Sequence, residues 1–141
     1  MSAQQPRDPK QWAEATLWLN HADADIQAVE ALLLASPALI NPAAFHCQQA
    51  VEKMAKALLV GIGREPPHIH DLNRLYSLLR PDFPDIAGMI EDLTGLTAWY
   101  FAVRYPNIAS DFAPSLNDIR AALMRLRALR ARIAAFAPKA E

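Results

Sequence analysis

The chain has 141 residues, 52% of them hydrophobic and 21% charged, with 14 Lys+Arg against 15 Asp+Glu and a formal net charge of -1. That length suits one domain with its own core, and the balanced charge excludes both disorder and binding of polyanions by the whole molecule. A single cysteine, Cys47, excludes an intramolecular disulfide, and no apolar run approaches the roughly 18 residues that read as a membrane span. With no secretory signal in the opening MSAQQPRDPK, a cytoplasmic protein is the expectation.

Residues 1–9 are polar, contain Pro6 and Pro9 and show no periodicity, so they read as a disordered leader. A single helical domain is expected over residues 10–137, with 138–141 as a tail. From Trp12 the positions Ala15, Leu19, Ala22, Ile26, Val29 and Leu33 alternate in steps of three and four, which keeps one stripe on one helical face up to Pro37. A second helix starts near Pro42, where a proline suits the first turn, and ends at Gly61 or Gly63. Its core stripe is Ala44, Cys47, Val51, Met54, Ala55, Leu58 and Ile62. Gln48, Gln49, Glu52, Lys53 and Lys56 fall opposite, and the last four are expected to be exposed in a monomer.

Pro66 and Pro67 make a loop of residues 63–70, after which the Asp71 carboxylate caps a short helix to about Leu79. A fourth helix is expected to run unbroken through Ile86, Met89, Leu93, Leu96, Tyr100 and Val103, ending near Arg104 because Pro106 follows. Ser115 with Asp118 resembles a capping box, opening a fifth helix on Ile119, Leu123, Leu126, Leu129, Ile133 and Phe136. Sustained period-two alternation is missing, so the fold class is all-α, an up-and-down bundle of about five helices with no sheet.

Charge is unevenly spread. Residues 11–40 hold Glu14, Asp23, Asp25 and Glu30 without Lys or Arg, whereas the last helix carries Arg120, Arg125, Arg127, Arg130 and Arg132. These arginines fit a role of covering the apolar stripe and pairing with acids on neighbouring helices; a basic surface for RNA is the competing reading. His46, Cys47, His68 and His70 lack the paired spacing of structural zinc sites, so no metal and no cofactor are expected. Glu52 and Lys56 read as a solvated i,i+4 pair, and His70 as a support for the helix start at Asp71. Walker, nucleophile-elbow, zincin and dinucleotide motifs are all missing, so no catalytic residue is assigned.

Three segments taken together resemble a known family. Residues 44–59, AFHCQQAVEKMAKALL, are similar to the second-helix signature of HEPN domains, where an aromatic-His pair precedes Gln-Gln and an Ala-rich Glu-Lys helix. His70-Asp71-Leu72 is similar to the family's step into its third helix, and Arg104-Tyr105-Pro106 to its Arg-Tyr-Pro after the fourth. The resemblance implies a helical bundle that forms a homodimer. In prokaryotes such a chain is often encoded beside a minimal nucleotidyltransferase as a toxin-antitoxin pair. Ribonuclease members carry a His a few residues after that Arg; here residues 105–111 contain none, so the nuclease activity is not carried over.

What remains is a non-catalytic nucleotide-binding and partner module. Arg104, Asn107, His46, Gln49, Lys53 and Lys56 are the candidate nucleotide-binding residues, and Tyr105, Pro106, His70 and Asp71 are motif or structural residues. Arg104 offers a planar fork to phosphate, although an Arg at a helix C-terminus is also favoured by the macrodipole alone. The alternative is a degenerate metal-independent ribonuclease using Arg104 on the scissile phosphate and His46 or His70 for proton transfer. Self-association is expected from Trp18, Phe45 and Trp99, which lie outside the main apolar stripes.

Overall fold

The computed structural model describes residues 8–99 and 113–138. Their architecture is set by a helix that is apolar on more than one side. This is α2 (Ile40–Gly61), which packs against α1 (Pro9–Leu34), α3 (Leu72–Leu79) and α5 (Leu116–Ala134), while α4 (Pro84–Glu91) bridges α3 and α5. All the regular structure among the described residues is helical, and none of these helices is long and apolar enough to cross a membrane.

The stripes expected from periodicity form the core. Ala15, Ala22 and Val29 of α1, Ala44, Cys47, Val51, Met54, Ala55 and Leu58 of α2, and Ile119, Leu126, Leu129 and Ile133 of α5 are all fully buried. Each such Leu or Ile contributes about 2 kcal/mol through removal of apolar surface from water. The many alanines on α2 let α1 approach closely. Gly61 lies against α1, since a Cβ there would lie 3.2 Å from the Trp12 ring.

Helix ends follow local chemistry. Asp8 caps α1 by accepting from the Lys10 N-H at 2.9 Å with Pro9 at the first helical position; residues 1–7 of the expected leader lie outside the described residues. Two crossed bonds close α2, from Arg64 N-H to Leu59 C=O and from Gly63 N-H to Val60 C=O, both 2.9 Å. This Schellman pattern requires a left-handed residue, and Gly63 has φ +83°. Asp71 accepts from Asn73 N-H to start α3, as expected, and Ser115 and Asp118 form the full capping box of α5.

The fourth helix departs from expectation. After Glu91 the chain turns through residues 92–95 and resumes as helix at 96–99. Bonds here run i to i+3, as from Leu93 N-H to Ile90 C=O at 2.8 Å and from Leu96 N-H to Leu93 C=O at 3.0 Å. The Thr94 hydroxyl donates to Glu91 C=O, and Gly95 follows; both residues favour breaking an α-helix. Leu93 and Leu96 stay buried because a three-residue turn still returns them to the same side. The expected continuation to Arg104 lies outside the described residues.

Trp18 and Trp99 are half-buried and pack on the core, and half-buried Phe45 meets the His46 ring edge-on at 5.5 Å. The apolar surplus inferred from the sequence is therefore smaller than expected, because a helix buried on several sides has room for aromatics beyond one stripe.

Candidate functional site

The site grows from the polar positions of α2. They are not the solvated face that the sequence suggested: Gln48 is fully buried, Glu52 and Lys56 nearly so, and Gln49 and Lys53 only partly exposed. With α1 on one side and the approach to α3 on another, α2 has no broad outer face. Its polar groups are therefore matched inside the protein, as burial demands.

Two carboxylates organise them. Asp25 projects from α1 with its side chain 8% exposed, accepting from His46 Nδ1 at 2.8 Å on one oxygen and from Lys53 Nζ at 2.6 Å on the other. His46 and Lys53 are seven residues apart, two turns of α2, so both reach the same point on α1 with Gln49 between them. A carboxylate only accepts, so His46 carries its proton on Nδ1. The imidazole and ammonium remain 32% and 25% exposed, so this pair faces both a buried anion and the surface.

Glu52 is the second centre. Its Oε1 pairs with His70 Nδ1 at 2.5 Å and its Oε2 lies 3.9 Å from Lys56 Nζ, which also sits over the Trp18 ring at 5.9 Å. The expected solvated pair is thus a buried one, because Trp18 and the incoming loop cover it. The His70 ring goes to Glu52, and its carbonyl accepts from Gln48 Nε2 at 3.0 Å. Gln48 Oε1 in turn accepts from Gln49 Nε2 at 2.8 Å, which extends the Glu52 centre along α2 to Gln49.

Of the candidate nucleotide ligands, the structure brings His46 and Lys53 together on Asp25 with Gln49 alongside, and it places Lys56 in the other, covered centre. Arg104, Asn107, Tyr105 and Pro106 lie outside the described residues. Asp25 and Gln48 were not singled out by sequence reasoning, yet Asp25 carried a signal. It falls three residues after Ala22 and four before Val29, an acid on a core stripe.

Three of the five arginines of α5 are paired with acids on neighbouring helices, as expected. Arg130 grips Asp23 with Nε at 2.7 Å and Nη2 at 3.2 Å, Arg127 meets Glu30 at 2.9 Å, and Arg132 lies 3.8 Å from Asp85. Burial raises the Cys47 thiol from 9.0 to about 12, so it stays protonated at neutral pH. Among the described residues no group of three or more His, Cys, Asp or Glu side chains is placed to hold a metal ion.

Compared with known families, the chain matches the model described as HEPN domain over residues 15–134. No curated protein and no solved structure matches it significantly.

Proposed function

Because the chain belongs to the HEPN domain family, we propose that it is a non-catalytic nucleotide-binding module, a homodimer that partners a minimal nucleotidyltransferase in a cytoplasmic toxin-antitoxin-like pair. The observation that carries this reading is the gathering of His46 and Lys53 on Asp25. One ammonium N-H is spent on the buried carboxylate, and the others are available to a phosphate at the partly exposed rim. Imidazole Nε2 and the Gln49 carbonyl oxygen add an acceptor each for the amino and hydroxyl groups of a nucleotide. Arg104 and Asn107 enter as ligands on sequence grounds alone. Any adenylyl-transfer chemistry belongs to the partner subunit.

Calorimetric titration of the purified chain with ATP, AMP and GTP tests this. At least one nucleotide is expected to bind tighter than about 1 mM, on the order of -4 kcal/mol, and the His46→Ala and Lys53→Ala variants each to weaken it. If every nucleotide binds more weakly than that, the reading fails. Co-purification with a nucleotidyltransferase encoded next to it tests the partner.

One observation favours a ribonuclease as the second reading. An imidazole oriented through Nδ1 by a buried carboxylate presents Nε2 as a base, the arrangement that proton transfer from a 2'-hydroxyl needs. Metal-independent cleavage of RNA that is lost in both His46→Ala and Arg104→Ala would put this reading first.

A further inference from the structure

A second feature shares no residue with the Asp25, His46 and Lys53 cluster. Between the 92–99 segment and the first turns of α5 lies an open cavity of about 280 Å³. Its origin is in the sequence: the turn after α4 bends the backbone aside, and the residues that face the gap, Gly95 and Ala121, are too small to fill it. A Cβ built on Gly95 would meet nothing within 4 Å. The floor is apolar, formed by the buried Leu93, Leu96 and Ala122, and one wall is the Trp99 indole.

The rim is charged and unbalanced. Among the described residues, Asp92 and Asp118 contribute two carboxylates against the guanidinium of Arg125, which is held back by donating from Nη1 to the Asp92 carbonyl at 3.1 Å. Asp118, which lines the cavity, also uses one carboxylate oxygen for the α5 capping box. An anion would meet one positive group and two negative ones. A cation on an apolar stem meets the reverse.

We propose that this cavity is a docking pocket for an arginine side chain of a partner protein. The methylene stem lies on Leu93 and Leu96, the guanidinium stacks on Trp99, and its N-H groups reach Asp92 and Asp118. The volume suits one side chain: cavities that enclose drug-sized ligands begin at roughly 300 Å³, so a whole nucleotide is too large. An arginine in such a pocket is a typical anchor of a protein interface, with its planar charge desolvated on one face and hydrogen-bonded on its edge. The pocket is independent of nucleotide binding at α1/α2, and either assignment stands if the other fails.

The test follows the three indole N-H signals of the full chain, Trp12, Trp18 and Trp99, in a two-dimensional NMR titration with acetyl-arginine amide. The Trp99 signal is expected to shift and saturate while the other two stay in place. Acetyl-citrulline amide, which has the same shape without the charge, is expected to bind at least about tenfold more weakly. Asp92→Asn is expected to weaken the arginine response several-fold and Ala121→Leu to abolish it, with unmoved Trp12 and Trp18 signals reporting an intact fold. Equal response to citrulline, preference for acetyl-glutamate amide, or no saturable shift below about 10 mM arginine probe overturns the proposal.

Discussion

Glu52 shows how much depends on one side chain. It is the counter-charge of Lys56, whose ammonium is covered by Trp18, so Glu52→Ala leaves a buried cation alone and costs about 3–5 kcal/mol in urea unfolding. Lys56→Met removes the charge and keeps the apolar stem, and is expected to cost less. In the double variant the two losses are expected to fall well short of their sum, because the uncompensated charge has gone. Cys47 gives a second measurement at this scale. The folded protein holds the thiol proton up to about pH 12 whereas the unfolded chain releases it near 9.0, so the native state binds more protons in that window and stability falls as pH rises through it. At neutral pH a thiol-labelling reagent is expected to react with Cys47 only once the protein is unfolded. The pairing of Lys53 and His46 was half legible, since their two-turn spacing puts them on one face. Their shared partner was not, because Asp25 comes from another helix, and a distance across 21 residues is set by packing and not by period.

At the level of elements, boundaries were the most legible part of the chain. Asp71, Gly63 and the Ser115–Asp118 box all act where their chemistry says they should, since each satisfies orphan backbone groups within a few residues. Ser115→Ala removes the acceptor for Asp118 N-H and is expected to cost about 1 kcal/mol, lowering the melting temperature by roughly 3 °C. The break after Glu91 was illegible for a definite reason. The stripe read from the sequence, Ile86, Met89, Leu93 and Leu96, has the three-and-four spacing of an α-helix, and although Ile90 is buried in place of the half-buried Met89, a tight turn at residues 92–95 keeps the two leucines in step. Only Thr94 and Gly95 mark the place. A peptide-bond-level check is available: amide exchange at residues 93–98 is expected to be faster than in α2, because three-residue turns are more poorly aligned than α-helical ones.

On the scale of the whole molecule the all-α class followed from periodicity alone, but the central place of α2 did not. One helix read by itself has a polar side and an apolar side, and nothing in the 22 residues of α2 reveals that neighbours will close over both. Burial of the polar side is a property of the assembly of α1, α2 and the turn into α3. The proposed homodimer is likewise a question for the whole protein. The large hydrophobics left exposed among the described residues are Leu17, Leu34, Leu39 and Met124, which lie on α1, on the α1–α2 link and on α5. Light scattering at micromolar concentration is expected to give twice the monomer mass; a monomer mass at every concentration up to about 100 μM would reject the dimer.

Alanine is frequent among the buried residues of both helices, Ala15 and Ala22 of α1 and Ala43, Ala44, Ala50, Ala55 and Ala57 of α2, and alanine surfaces are smooth. Short side chains make shallow ridges, so shape alone resists sliding of one helix past the other only weakly. Asp25 changes that. A shift of one turn, about 5.4 Å, would carry His46 and Lys53 off both of its oxygens at once and leave a buried carboxylate bare. The same acid that draws an imidazole and an ammonium to the rim therefore acts as a dowel between two planed boards, fixing their alignment along the one direction in which their surfaces would let them slip.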